Sequence, residues 1–156
     1  MQADKKETGL FIEALISVLE SMAFIFTEEL STEELSSDPG EALAVEMSFH
    51  GPHRGKVTLM VQYPLCIELA VNMLGTDEGE VTEPMAGDAL KEVLNMACGQ
   101  YLTSSFGSEP VFDLTVPRVK KVDTAEWASV STRPGSTAME AEEWQVIAGI
   151  SLEQEH

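Results

Sequence analysis

The strongest constraint on the fold is a change of hydrophobic period within the first 65 residues. Leu10, Phe11, Ala14, Leu15, Val18, Leu19 and Met22 recur at spacings of three and four, while Glu13, Ser17 and Glu20 fall between them. That pattern predicts an amphipathic helix over about residues 9–26. From residue 43 the period drops to two. Leu43, Val45, Met47 and Phe49 alternate with Ala44, Glu46, Ser48 and His50, and Val57, Leu59, Val61 and Tyr63 alternate again after Gly51-Pro-His-Arg-Gly55. Two alternating runs around a Gly/Pro turn predict an antiparallel hairpin with one face buried. A helix followed by a hairpin must bury both apolar faces against each other or against later elements, which points to an α+β layer structure.

The rest of the chain extends that plan. Residues 65–74 read as a helix stopped by Gly75, and Thr82-Glu-Pro84 opens a longer helix, over about 84–106, closed by Gly107. Phe112, Leu114 and Val116 alternate up to Pro117, which should mark the edge or end of a strand. Further strands are expected at 126–132 and 144–152. The acidic stretch 27–41 reads as a solvated linker, and 133–143, with Pro134, Gly135 and several glutamates, as an exposed loop. With 156 residues, the expectation is one domain over 1–156, with a largely antiparallel sheet packed against two long helices.

Charge removes several function classes. With 27 Asp+Glu against 9 Lys+Arg, the formal net charge is −18. Neither nucleic acid nor an anionic membrane is an expected partner, because both are bound by clustered Lys and Arg. Cys66 and Cys98 each lie in an apolar stretch, too far apart for a zinc or redox motif, and read as reduced, buried thiols of a cytoplasmic protein. Lys5 and Lys6 before an apolar run do not make a signal peptide, since Glu13 and Glu20 interrupt it. His50 and His53 lack further ligands, Asp77-Glu78-Gly79-Glu80 lacks the spacing of a calcium loop, and no glycine-rich phosphate loop is present. No metal site is expected.

The helix over 84–106 holds the candidate chemistry. On a helical wheel Leu90, Val93, Leu94, Ala97 and Tyr101 form an apolar face, and Asp88, Glu92, Asn95, Gly99 and Thr103 collect opposite. Glu92 and Asn95, three apart, are neighbours one turn up the helix. By its wheel alone this stripe is the wet side of an amphipathic helix.

The run Asp88-Ala-Leu-Lys-Glu92-Val-Leu-Asn95-Met-Ala-Cys-Gly99, followed by Phe112-Asp-Leu-Thr-Val-Pro117, resembles the CheX/CheC/FliY family of chemotaxis phosphatases. The first helix and the strand from Gly55 resemble it as well, so the likeness spans about residues 9–120. It implies a CheC-like fold and hydrolysis of the phospho-aspartate of a CheY-like receiver domain in two-component signalling. Glu92 and Asn95 would then be the catalytic pair, Asn95 orienting the attacking water and Glu92 pairing with the receiver's lysine. Asp88, Met96 and Gly99 would contact the partner, and Pro117 would be a structural part of the signature. The resemblance further implies a homodimer formed through sheet edges, and no cofactor beyond the Mg²⁺ held by the receiver. The rival expectation is a non-enzymatic module of the same fold that docks a signalling or flagellar-switch partner.

An internal echo adds a structural expectation. Ala14-Leu15-x-x-Val18-Leu19 recurs as Ala89-Leu90-x-x-Val93-Leu94, suggesting duplication. In that register Ser17 stands where Glu92 does and Glu20 where Asn95 does, leaving one candidate stripe.

Overall fold

The computed structural model describes residues 5–153. Its helices are α1 (Lys5–Ala23), α2 (Tyr63–Leu74), α3 (Glu83–Phe106) and α4 (Thr124–Ser131). Its strands are β1 (Glu28–Leu30), β2 (Ala42–His50), β3 (Gly55–Gln62), β4 (Asp113–Leu114), β5 (Arg118–Val122), β6 (Ser136–Ala141) and β7 (Trp144–Leu152). All seven strands form one antiparallel sheet, ordered β1-β6-β7-β3-β2-β4, with β5 also paired to β2. The α+β, largely antiparallel architecture is the one expected.

The hairpin forms in the register its alternation demands: Leu43 faces Val61, Val45 faces Leu59 and Met47 faces Val57. These side chains join α1, α2 and α3 in the larger core. Local chemistry sets the helix boundaries. Thr82 caps α3, its hydroxyl accepting from the Met85 amide at 3.3 Å, with Pro84 in the first turn where its missing N–H costs nothing. Gly75 ends α2 at φ +68°, the left-handed conformation that glycine adopts without a Cβ clash.

Helices α1 and α3 pack antiparallel. Phe11 meets Tyr101 edge-on at 6.2 Å, the Tyr101 hydroxyl donates to Glu7 at 2.9 Å, and the Ser105 hydroxyl donates to the same carboxylate. The echo extends by two buried positions beyond its four matching residues. The buried positions of α1 are Phe11, Ala14, Leu15, Val18, Leu19 and Ala23. Each has a buried counterpart 75 residues on: Ala86, Ala89, Leu90, Val93, Leu94 and Cys98. Matched burial of this kind supports duplication.

Four expectations need correction. Residues 126–132 are helical: Asp123 caps α4 by accepting from the Glu126 amide at 2.8 Å, and Trp127 and Val130, three apart, bury one face. That face covers the second side of the sheet, in a smaller core with Ala42, Ala44, Met60 and Ile147. Residues 133–143 are not a loop. Strand β6 runs through them with Ala138, Met139 and Ala141 buried, and joins β7 through Glu142 and Glu143 at φ +54° and +77°. This is a tight hairpin turn lacking the Gly or Asn that normally announces one. The 27–41 segment is not a free linker either. β1 pairs β6 inside it, and Ser36 donates its amide to Gln145 at 2.8 Å while its carbonyl accepts from the Trp127 indole at 3.0 Å. Finally, the strand expected at 112–116 is only the two residues of β4. Pro117 interrupts it, and β5, whose sequence is mostly charged, continues along β2.

Candidate functional site

The long polar stripe of α3 lies beside the sheet edge made by β4 and β5. Asp88, Glu92 and Asn95 are exposed, as their helical spacing requires, because the opposite face of α3 is committed to the core. Together with Lys91 and residues 114–117 they line an open groove of about 480 Å³. The far wall is held rigidly. Thr115 donates its amide to Ser48 O at 3.0 Å, and its hydroxyl accepts from the Ser48 amide at 2.9 Å. Leu114 and Val116 remain 40% and 78% exposed, giving the groove an apolar lip. Pro117, with no N–H to donate, is where the backbone leaves the β4 ladder before β5 resumes it.

Glu92 and Asn95 are brought together by one helical turn, and among the described residues neither side chain has a hydrogen-bond or ion-pair partner. Asp88 makes only a loose contact with Lys91, at 3.8 Å between two exposed groups. A carboxylate and an amide held on a rigid helix, both uncommitted, can engage another surface without breaking anything. The amide can accept and donate hydrogen bonds at once. That combination suits orienting a water molecule, while the carboxylate suits pairing with a cation.

The remaining expected site residues fall elsewhere. Met96 is half-buried and packs against the core, so it does not line the groove. Gly99 lies one turn beyond Asn95, and a Cβ placed there would meet nothing within 4 Å. No close internal approach therefore requires it. Gly87 is the glycine that matters to the packing: a Cβ there would touch Val119 of β5 at 3.4 Å, so its absence sets how near α3 lies to the edge. Lys91, Leu114 and Val116 were not anticipated as groove residues. The i,i+4 spacing of Lys91 and Asn95 was the available signal for the first. The two exposed hydrophobics looked like ordinary inward strand positions.

Nothing else among the described residues competes as a reactive centre. No cluster of His, Cys, Asp and Glu could hold a metal ion. The thiols of Cys66 and Cys98 are buried and free, and burial pushes both up to about 12, so neither is a ready nucleophile. His53 stacks on Phe106 at 4.1 Å. No helix among the described residues is long and apolar enough to cross a membrane.

The family model for chemotaxis phosphatase CheX matches residues 43–137, which include the hairpin, all of α3 and the lip. The chain belongs to the CheX family. Solved structures share its fold at low identity. CheX of Vibrio vulnificus superposes with a TM-score of 0.74 at 18% identity, covering 98% of this chain and 100% of that one. CheX of Borrelia burgdorferi, solved in a complex with CheY, BeF₃ and Mg²⁺, gives 0.66 at 18%, covering 94% and 97%. FliY of Thermotoga maritima gives 0.55 at 17%, covering 97% and 92%. Among curated proteins no match was found.

Proposed function

We propose that this CheX-family chain is an aspartyl-phosphate phosphatase that dephosphorylates a CheY-like response regulator. The observation that carries the reading is the uncommitted Glu92–Asn95 pair on a rigid helix beside an apolar lip, in a chain of this family. An acyl phosphate is already activated, so its hydrolysis needs an in-line water and stabilised oxygens more than covalent chemistry. In this proposal the receiver brings its own Mg²⁺ and lysine, and α3 lies over the phosphorylation site with Leu114 and Val116 excluding solvent at the contact. The Asn95 side-chain oxygen accepts a hydrogen bond from the water and its NH₂ donates toward the phosphoryl group, fixing the line of attack. Glu92 pairs with the receiver's lysine and sets the register of docking. The CheX complex with CheY from Borrelia burgdorferi supports this choice of partner class.

The same chain is proposed to be cytoplasmic, where such receivers work, and to form a homodimer through a sheet edge, β1 or β5 being the available ones. Sedimentation velocity checks the dimer. The binding-module alternative would be favoured by a stripe covered by the chain's own acidic tail or by a dimer partner. The acidic 27–41 segment lies away from the stripe, pairing with β6 through β1 at the edge opposite β4 and β5. The deciding experiment is phosphate release from a phosphorylated, Mg²⁺-loaded CheY-type receiver, with the wild-type chain and with Asn95→Ala. Acceleration that disappears in the variant supports the phosphatase; binding without acceleration makes the chain a docking module.

A further inference from the structure

A second part of the surface carries apolar side chains that folding leaves in water. Phe24 is 69% exposed, Phe26 66%, Leu74 53% and Met22 38%. They come from the end of α1 with the segment after it, and from the end of α2. These two ends are tied together, since the Asn72 side chain donates to Ala23 O at 2.6 Å. Phe24 also sits at φ +55°, a left-handed conformation that Gly or Asn adopts at less cost than an aromatic residue. Its ring is neither buried nor on a favourable backbone, so the fold gains little from having Phe there.

The rim of this patch is anionic. Glu68 lies one helical turn before Asn72 on α2, and its carboxyl is held above the usual range by partial burial first and then by Glu142 and Glu78. Glu142 belongs to the β6–β7 turn, and the pairing of Glu28 with Glu140 brings the start of β1 beside that turn. Residues 20–30, 63–80 and 138–145 together hold ten carboxylates and none of the chain's nine Lys and Arg. The α3 groove differs, since Lys91 lines it and Lys121 stands by Glu83 at its head.

We propose that Met22, Phe24, Phe26 and Leu74, inside the rim of Glu68, Glu78 and Glu142, dock a cationic amphipathic segment of a partner protein, rich in Lys or Arg with apolar anchors at helical spacing. An exposed apolar centre with a rim of one charge is the form of a helix-binding surface: burial supplies affinity, and the rim selects the sign of the ligand and speeds encounter. A second copy docked through this face would set the same carboxylates against one another. The surface shares no residue with the Glu92–Asn95 groove, so occupancy here leaves the candidate chemistry open.

The probe is a fluorescein-labelled peptide of Lys and Leu, about 18 residues or five helical turns long, compared with a scrambled peptide of the same composition. Anisotropy is read with the full chain at about 0.15 M salt, where long-range attraction is largely screened. The helical peptide is expected to bind at least about tenfold more tightly than the scrambled one, a difference of about 1.4 kcal/mol. Phe24→Asn/Phe26→Ser should lose that preference while keeping its far-UV circular dichroism, because Asn tolerates the Phe24 backbone. Glu68→Gln/Glu78→Gln/Glu142→Gln should weaken binding and flatten its salt dependence. Equal binding of the two peptides, or unchanged affinity in the Phe double variant, overturns the proposal. So does a wild-type dimer that falls apart in that variant, since the surface would then belong to a second copy.

Discussion

Helices α1 and α3 share a pattern of burial and differ almost entirely in what they show to water. Each of the six buried residues of α1 matches a buried residue of α3 at a separation of 75, and α3 buries Gly87, Ala97, Tyr101 and Leu102 besides. Each also borders a groove against the sheet. Thr8, Gly9, Ile12 and Glu13 line one, facing residues 134–137, and the equivalent Glu83, Pro84, Gly87 and Asp88 line the other, facing Val119. Past those positions the helices diverge. On α3 the stripe continues through Glu92 and Asn95 beside an apolar lip, whereas α1 offers Ser17 and Glu20. Packing therefore fixes how each helix sits, and the candidate chemistry depends on two outward side chains and their opposing wall. A fold shared at 16–20% identity with other CheX-like proteins is compatible with losing or keeping that chemistry, because the core does not depend on it.

The largest expected effect tests that asymmetry directly. Asn95→Ala should lower receiver dephosphorylation by about 10²–10³-fold, the usual result of removing one well-placed polar group. Its urea midpoint should hardly move, because the side chain is exposed and unpartnered. Glu20→Ala at the matched position of α1 should leave the rate within about twofold of wild type. A comparable loss in both variants would mean that the helices share the work, and an unfolded Asn95→Ala would remove Asn95 from the site.

The next prediction concerns the similarity. Leu15 and Leu90 are both fully buried and occupy matched positions. Leu15→Ala and Leu90→Ala should each cost about 2.7–5 kcal/mol in urea unfolding, the range for a leucine cavity in a packed core. Their costs should agree within about 1 kcal/mol if the surroundings are duplicated as closely as the burial pattern is. A much smaller cost at Leu15 would make α1 the looser helix. Leu114→Ser follows in size. It should raise KM for the receiver by about three- to tenfold with kcat little changed, since an interfacial leucine contributes binding common to ground and transition states.

How much of this was legible in the sequence depends on what each signal measures. Period-two alternation in β2 and β3 and period-3.6 burial in α1 and α3 report a single core, and both elements fold as read. The failures lie where a second constraint acts. Residues 126–132 contain Trp and Val, which suggest a strand, yet the Asp123 cap and the three-residue spacing of Trp127 and Val130 favour a helix lying over Ala42 and Ala44. Strand β6 was masked by Glu142 and Glu143 in left-handed conformations that neither residue advertises. In the candidate site, the adjacency of Glu92 and Asn95 followed from helix geometry alone. The lip of Leu114 and Val116 did not, because an alternating strand cannot say that its inward-looking face overlooks a groove rather than a core.

The smallest expected effect contrasts two glutamates on differently charged parts of the surface. Glu46 of β2 pairs with Lys56 at 2.9 Å and has Lys120 and Arg118 nearby, and these hold its carboxyl below the usual range against a contribution from burial. Glu68 has partial burial, Glu142 and Glu78 raising its own. A depressed carboxyl adds stability above its unfolded pKa of 4.5, and that contribution fades as pH falls through the lower folded value. A raised one does the reverse: its ionised form is a burden above the folded pKa, and the burden lifts as pH drops toward 4.5. Glu46→Gln should therefore destabilise the chain at pH 7 and Glu68→Gln should stabilise it, each by less than about 1 kcal/mol because both groups meet solvent. Both differences should shrink toward zero in urea titrations carried below pH 4.5, Glu68 losing its effect at the higher pH of the two. If the two variants shifted stability in the same direction at pH 7, the separation of charge between the β2–β5 edge and the α2 face would have no energetic content. The rim would then lose its argument for a cationic ligand, and the phenylalanines would argue only for an apolar one.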